Sequence, residues 1–259
     1  MKDKAKKKRK GPYEAFFKRF FDILFSLLLI VILSPILLTV AIIQKISLKG
    51  PILFCQYRPG RYGKVFKMYK FRSMKNTFDE KGDLLPDSQR ITKFGKVLRK
   101  TGIDELPQLF NILKGDMSFV GPRPKLVKDM IFYDKEVVEN YTARPGIAGL
   151  SVISEGRTTT HWDNVFKSNM EYAKKITLWG DIKILFKTAL SLFKKDKQGI
   201  LVGDLVQDYY YADYLLRTGK INQEQYDKGL LMAKNVIAEN GTVTYMEELH
   251  NKEESKEEK

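Results

Sequence analysis

The sequence predicts an α+β, mostly helical protein, in which an N-terminal re-entrant membrane helix-hairpin precedes a domain of amphipathic helices and a little irregular β structure. Residues 23–43 form a run of 21 residues without a charge, which is long enough to cross a bilayer. Apolar residues recur at helical spacing over 104–113 and 178–192. Short apolar pieces over 52–54 and 65–69 lie between Gly and Pro turns, as short strands do.

The composition excludes several classes of protein. The 259 residues include one cysteine, Cys55, which rules out a disulfide framework and a CxxC site. The two histidines, His161 and His250, lie too far apart for a histidine-rich metal site or a HExxH protease. The net charge is +15, and because residues 200–259 hold 12 acids and 7 bases, residues 1–199 carry +20. Such a body suits nucleic acid, an anionic membrane face or a phosphorylated small molecule.

The charges beside the apolar run favour a hairpin over a single spanning helix, which stays open as the alternative. Residues 1–19 hold nine Lys or Arg, and beyond the run no acid occurs before Asp79. Positive charge stays on the cytoplasmic side of a membrane, so both basic flanks fit one side. Ser34-Pro35 marks the breakpoint, because Pro35 cannot donate to the carbonyl of Val31. The Ser34 hydroxyl can satisfy a carbonyl freed in this way.

The body that follows contains several predicted helices. We expect a short helix over 94–99, helical structure over 126–142 and 163–195, and a surface loop over 76–90. The best pattern is 104–113, where Pro107 is tolerated only in the first turn, so that helix should begin near Asp104. The sequence contains neither a GxGxxG nor a GxxxxGK loop, so a Rossmann or P-loop nucleotide site is not supported.

The Asp104-Glu105 pair is the leading candidate for chemistry. Acids at a helix start are common for capping alone, so the setting of the pair has to decide. Cations stand in or beside rigid Pro and Gly turns or short apolar elements around it, where they can clamp phosphate oxygens; they are Lys70, Arg72, Arg99, Arg123, Arg144 and Arg157. Two carboxylates among such cations indicate Mg²⁺ and phosphate handling, with one acid as nucleophile and one as metal ligand.

Seven motifs follow one another along the chain. They are Lys18-Arg19-Phe20-Phe21-Asp22, Ser34-Pro35, Gly50-Pro51-Ile52, Lys70-Phe71-Arg72-Ser73-Met74, residues 101–108 (TGIDELPQ), residues 115–124 (GDMSFVGPRP) and Arg144-Pro145-Gly146-Ile147. In these motifs the chain resembles the bacterial sugar transferases, the small monotopic phosphoglycosyl transferases that start glycan assembly on undecaprenyl phosphate. The resemblance covers about residues 16–195.

The resemblance implies a transferase that moves a sugar phosphate from a UDP-sugar to undecaprenyl phosphate and releases UMP through a covalent aspartyl-phosphosugar intermediate. Asp104 matches the nucleophile of the family, and Glu105 matches the residue that helps to hold Mg²⁺. Further matches at or near the active site are Lys70, Arg99, Arg123, Arg157 and Asp181, and Ser34-Pro35 matches the re-entrant breakpoint. The implied place is the cytoplasmic face of a bacterial membrane, and the implied product feeds capsule, exopolysaccharide or glycoprotein assembly.

The chain departs from the family around residues 146–157 and at Asn169, where an aspartate is expected. These departures motivate an alternative, a catalytically impaired membrane scaffold for glycan-assembly enzymes. A membrane-tethered nucleic-acid binder is motivated by charge alone, and no nucleic acid is expected as a partner.

We divide the chain into a basic disordered arm (1–15), the re-entrant membrane helix (16–48), the catalytic domain (49–199), a helical appendage (200–246) and a disordered charged tail (247–259). In the appendage, Asn222 is expected to cap a helix that runs to about Glu239. The appendage packs on the body as a helical hairpin or docks a second copy or a glycan-assembly partner, and both alternatives stay open. The other expected partners are the UDP-sugar, undecaprenyl phosphate and an anionic membrane.

Overall fold

A computed structural model describes residues 11–48, 50–134, 137, 142–155, 161–193 and 210–239. The chain opens with a π-helical turn, Tyr13–Phe17, that continues into helix α1, Lys18–Ile32, and then helix α2, Ser34–Leu48. The predicted arm and tail lie mostly outside the described residues, although the chain is already helical from Tyr13.

The break between α1 and α2 lies where Ser34-Pro35 predicts it. Leu33 leaves helical geometry (φ −89°, ψ 1°), and the two helices are bent by 62°. Pro35 has no N–H for the carbonyl of Val31, and the Ser34 hydroxyl donates to that oxygen over 2.7 Å. The structure thus confirms the predicted use of the hydroxyl. None of the described helices is alone long and apolar enough to cross a membrane, whereas this bent pair has the length and composition when taken together.

Two small sheets follow. Strands β1, Leu53–Pro59, and β2, Val65–Phe71, pair antiparallel and confirm the predicted extended pieces. Strands β3, Ser118–Val120, and β4, Gly146–Ala148, pair in parallel. At Gly121, after β3, a Cβ atom would lie 2.0 Å from the carbonyl oxygen of Arg144, so only glycine permits this approach of the two backbones.

The remaining helices are mostly short. They are α3, Asp87–Arg90; α4, Lys93–Thr101; α5, Gln108–Lys114; α6, Val127–Met130; α7, Leu150–Glu155; α8, Trp162–Lys174; and α9, Leu178–Phe193. Helix α4 confirms the prediction for 94–99. Helix α3 interrupts the predicted loop over 76–90, and helical structure over 126–142 is limited, among the described residues, to α6 and Val137. The predicted helical stretch 163–195 is two helices, because Thr177 accepts the backbone N–H of Gly180 and starts α9 anew.

The prediction of a helix beginning near Asp104 is wrong. Residues Ile103–Glu105 form a 3₁₀ turn, and α5 begins only at Gln108. The cause is Pro107, which has no N–H to donate to the carbonyl of Ile103; the Leu106 N–H bonds to that oxygen instead, at 3₁₀ spacing. The site therefore has no α-helix N-terminus at Asp104.

The core is shared between the bent helix pair and the body. Leu29, Ile30 and Leu33 pack against a buried cluster that includes Leu109 and Ile112. From α2, Val40 packs with Phe71 and Leu98 in a second cluster. The apolar faces of α1 and α2 are thus partly covered by the same residues that form the interior of the body.

Polar contacts join α1 to the body as well. Arg19 donates to the carbonyl oxygens of Ile112 (2.5 Å) and Leu113 (2.8 Å), which lie in the last turn of α5. One carboxylate oxygen of Asp22 accepts from the Ser118 hydroxyl (3.0 Å) and from the backbone N–H of Phe119 (3.1 Å). The start of α1 is therefore fixed to both α5 and β3.

The appendage forms a helical hairpin on the body, as one of the two predicted alternatives has it. Helices α10, Tyr211–Arg217, and α11, Gln223–Ala238, follow one another, and the Asn222 side chain caps α11 by accepting from Gln225 N over 2.8 Å. The cap confirms the prediction. Apolar side chains of both helices enter a buried cluster with residues of the body; those of the appendage are Tyr211, Leu215, Ala233 and Val236, and those of the body include Val127, Met130, Trp162 and Phe166.

Candidate active site

A cavity opens where the two sheets, α5 and the loop before α6 meet. Its lining combines charged with apolar residues and comes from distant parts of the sequence. It consists of Arg58, Met68, Lys70, Glu105, Gln108, Arg123, Pro124, Lys125, Leu126, Asp129, Gly146, Ile147 and Tyr210. Four cations and two carboxylates thus face one shared space.

Glu105 stands between two of the predicted cations. Its Oε1 atom lies 3.1 Å from Nζ of Lys70 and 3.7 Å from Nη2 of Arg123, and all three side chains are largely buried. The 3₁₀ turn supplies Glu105, and the end of β2 supplies Lys70. The structure therefore brings together three of the residues that the sequence predicts for the site.

Asp104 precedes Glu105 in the same turn and is 8% exposed. Gly102, just before the turn, adopts a left-handed conformation (φ 72°) that glycine tolerates without strain, and this ends α4 and starts the 3₁₀ turn. Among the described residues, Asp104 is not part of the cavity lining, whereas its neighbour Glu105 is. Asp104 is thus the sequence neighbour of a cavity residue, and it is largely shielded from water.

Two cations of the cavity, Arg58 and Lys125, are not among the site residues that the sequence predicts. Arg58 donates to Gln56 (2.6 Å) and to the carbonyl of Pro124 (3.4 Å), which places its guanidinium beside the loop of Arg123. Lys125 is buried, with Nζ 4.5 Å from the ring centroid of Trp162. Both carried a signal, since Arg58 begins an Arg-Pro-Gly turn and Lys125 directly follows the Gly-Pro-Arg-Pro motif.

The pKa of Lys125 is lowered to about 8, chiefly by burial and also by the nearby charges of Arg123 and Arg58, against an opposing effect of Asp129. Asp129 is fully buried, and burial raises the pKa of its carboxyl group. Its two oxygens accept from the backbone N–H groups of Leu126 and Ala212, each over 3.2 Å. The cavity therefore contains a lysine whose charge changes near physiological pH.

Three other predicted arginines bind neighbouring residues and are not part of the cavity lining. Arg99 donates to the Ser73 hydroxyl over 2.9 Å, and Arg72 donates to the carbonyl of Met74 over 3.0 Å. Arg144 donates to the carbonyl of Gly115 over 3.1 Å, and its pKa is lowered, chiefly by burial. These contacts fix the segment after β2 and the turn before β3. Arg157 lies outside the described residues.

The structure places Asp181 away from the cavity, in a buried network with α1. Asp181 Oδ2 lies 2.5 Å from Lys18 Nζ and accepts from the Tyr13 hydroxyl over 2.7 Å. Its other oxygen accepts from Tyr172 over 2.9 Å, and burial together with Asp181 raises the pKa of the Tyr172 phenol. Asn169 lies one turn before Tyr172 on α8, and no donor among the described residues reaches its buried Oδ1 atom.

The described residues contain no group of three or more His, Cys, Asp or Glu side chains that could hold a metal ion. At the cavity, Glu105 is the carboxylate next to the candidate nucleophile, while both oxygens of Asp129 bond backbone amides. Mg²⁺ commonly binds through one or two carboxylates, with substrate phosphates and water as its other ligands. One protein ligand from Glu105 fits that pattern.

Comparison with known proteins shows what the chain is similar to. Residues 13–195 match the family model described as bacterial sugar transferase. The uncharacterized sugar transferase EpsL of Bacillus subtilis (strain 168) is 43% identical over 153 residues, which are 59% of this chain and 75% of EpsL. A protein of Aeromonas hydrophila, named UDP-N-acetylgalactosamine-undecaprenyl-phosphate N-acetylgalactosaminephosphotransferase, is 39% identical over 184 residues, 68% of this chain and 44% of that protein.

The UDP-glucose:undecaprenyl-phosphate glucose-1-phosphate transferase of Escherichia coli (strain K12) is 39% identical over 170 residues, 62% of this chain and 36% of that protein. The chain thus spans less than half of the length of the Aeromonas and Escherichia relatives. The family match includes Asp104, Glu105 and every cavity residue except Tyr210. Because that match covers most of the chain, this protein belongs to the bacterial sugar transferase family.

Proposed function

We propose that the protein transfers a sugar phosphate from a UDP-sugar to undecaprenyl phosphate, with release of UMP, and so begins the assembly of a glycan. The observation that carries the proposal is the Asp104-Glu105 turn at the edge of a cavity with four cations, two of which flank Glu105. Such a cavity suits a diphosphate, whose negative charges need several fixed cations. The names of the Aeromonas and Escherichia relatives support both substrates.

The reaction proceeds in two displacements at phosphorus. In the first, a carboxylate oxygen of Asp104 attacks the β-phosphorus of the UDP-sugar, the bond from that phosphorus to the bridging oxygen breaks, and UMP leaves with the electron pair. In the second, a phosphate oxygen of undecaprenyl phosphate attacks the same phosphorus, and the bond to Asp104 breaks. The carboxylate is regenerated, and the product is an undecaprenyl diphosphate sugar.

The residues of the cavity have distinct tasks in this scheme. Lys70 and Arg123 hold Glu105 and offset the charge of the incoming diphosphate, and Arg58 and Lys125 extend the cationic surface. Glu105 is the residue that would hold Mg²⁺, which when bound offsets negative charge on the phosphate oxygens. Burial of Asp104 removes water that would otherwise compete for the phosphosugar.

We further propose that the protein is monotopic at the cytoplasmic face of a bacterial membrane. The bent pair of apolar helices and the basic flanks of residues 1–19 and 45–72 support a re-entrant hairpin with both ends on one side. Undecaprenyl phosphate presents its phosphate in the headgroup region, so a site beside such a hairpin meets its acceptor there.

The test of the function is UMP release by the purified full chain with Mg²⁺, undecaprenyl phosphate and a panel of UDP-sugars. Release with one donor, dependent on Mg²⁺ and accompanied by a lipid-linked sugar product, is the expected result and also identifies the sugar. No release with any donor from folded, membrane-embedded protein would contradict the proposal and favour the impaired scaffold. The departure from the family at Asn169 is the observation that favours the impaired scaffold as a second candidate.

The low pKa of Lys125 predicts a pH dependence of donor binding. As pH rises through about 8, Lys125 loses its proton and the cavity loses one positive charge, so kcat/KM for the UDP-sugar should fall about tenfold by pH 9.5. Lys125→Arg keeps the charge and should flatten the profile over this range. Lys96→Arg, at an exposed position on α4, should leave the decline in place. A decline of equal size in the Lys125→Arg variant would assign it to another group.

A further inference from the structure

Tyr210 lines the cavity although it lies beyond the family match, which ends at residue 195. It directly precedes α10 and is half-buried. The same cavity contains Glu105 and Arg123, so the appendage contributes a wall to the site that the rest of the chain forms. The appendage is thus part of the candidate active site as well as a covering for the apolar cluster of the body.

The position of Tyr210 is fixed by contacts to the loop and helix that carry the cations. Asp129 accepts from Leu126 N on the loop and from Ala212 N in the first turn of α10, so one buried carboxylate joins the two segments. Lys128 bonds Asp213 over 2.7 Å, and its Nζ atom lies 4.5 Å from the ring centroid of Tyr210. The loop with Arg123 and Lys125 therefore shares its attachment with Tyr210.

Tyr210 differs in chemical character from the other residues of the cavity lining. The four cations suit the charged diphosphate, and Tyr210 is the aromatic side chain among the described residues of the lining. Lys128 approaches the ring of Tyr210 but is not itself among the residues of the lining. A UDP-sugar has two parts that an aromatic ring contacts well, the flat uracil and the apolar face of the sugar ring.

We propose that Tyr210 is a donor-binding residue whose ring contacts a flat face of the UDP-sugar, and that the appendage thereby sets the affinity for the donor. This inference rests on the proposed function. The proposed partner of Tyr210 is an uncharged ring face next to the diphosphate. Either the uracil or the sugar of the donor supplies this ring face.

The test compares wild type with Tyr210→Ala, Tyr210→Phe and Tyr210→Leu in steady-state UMP release. Tyr210→Ala and Tyr210→Leu should raise KM for the UDP-sugar about tenfold, with kcat changed by less than about threefold and KM for undecaprenyl phosphate unchanged. Tyr210→Phe keeps the ring and should stay near wild type. Leu231→Ala, at an exposed position on α11, is the matched appendage control and should leave all three constants unchanged.

Calorimetric titration of UMP into the full chain without acceptor separates the two sources of the ring face. If the uracil is the partner, Tyr210→Ala weakens UMP binding as much as it raises KM; if the sugar is the partner, UMP binding is unchanged while KM rises. Equal KM and equal UMP affinity in wild type and Tyr210→Leu would overturn the inference and leave the proposed function intact. An equal rise in KM for undecaprenyl phosphate would also overturn it, because that result indicates a structural role. Absence of UMP release by wild type would overturn the function and the inference together.

Discussion

Asp104→Asn should reduce UMP release by about 1,000-fold or more, because it removes the proposed nucleophile. Asparagine matches aspartate in size and accepts hydrogen bonds through one oxygen, so the 3₁₀ turn Ile103–Glu105 keeps its shape. An amide oxygen is a poor nucleophile toward phosphorus and carries no charge. The loss should therefore appear in kcat, with donor binding to the cations of the cavity retained.

The measurement has two parts. In the absence of undecaprenyl phosphate, wild type incubated with donor should gain the mass of one phosphosugar in intact-protein mass spectrometry, and Asp104→Asn should gain none. With acceptor present, UMP release follows the same order. Asp163→Asn changes an exposed acid at the start of α8 and serves as the control, with activity near wild type. More than about a tenth of wild-type release from Asp104→Asn would place the nucleophile elsewhere.

Asp181→Asn should lower the free energy of unfolding by about 3–5 kcal/mol, because it removes the ion-paired, hydrogen-bonded carboxylate from the buried ammonium of Lys18. Asp181 is 3% exposed, so water cannot take over the role of the carboxylate. The hydroxyl groups of Tyr13 and Tyr172 also donate to the two oxygens of the Asp181 carboxylate, and asparagine keeps only one of these acceptor oxygens. The effect is on stability, since Asp181 lies away from the cavity.

Denaturant unfolding of the full chain in detergent measures this loss. The double variant Lys18→Met with Asp181→Asn has no unpaired buried charge and should recover about half of the loss, which distinguishes the ion pair from a packing defect. The surface variant Asp163→Asn again provides the comparison. A midpoint for Asp181→Asn within about 2 °C of wild type in a thermal scan would contradict the prediction.

Local chemistry explains what the sequence predicts well. The break at Ser34-Pro35 and the cap at Asn222 each depend on neighbours within four residues. Strands β1 and β2 pair across the short turn that joins them. The start of α5 is also local, yet the prediction there is wrong. Pro107 fits the first turn of an α-helix by its φ angle, but its missing N–H leaves the Ile103 carbonyl to a 3₁₀ bond, which shifts the α-helix beyond the carboxylate pair.

The sequence predicts part of the candidate site, because Lys70, Glu105 and Arg123 belong to three separate motifs and meet in the fold. A motif does not say which way a cation points. Arg72 and Lys70 belong to the same short motif, yet Arg72 bonds the carbonyl of Met74 while Lys70 faces Glu105. Tyr210 had no local signal at all, since its place in the cavity depends on the docking of α10 against Asp129.

The links between α1 and the body make the N-terminal helices necessary to the rest of the fold. A chain cut after Leu48 loses the donors to the last carbonyls of α5, the acceptor of the Ser118 hydroxyl and the ammonium that faces Asp181. It also uncovers Leu109 and Phe71. The bent helix pair is therefore an internal support of the protein, and a foreign helix fused in its place would leave the interior of the protein incomplete.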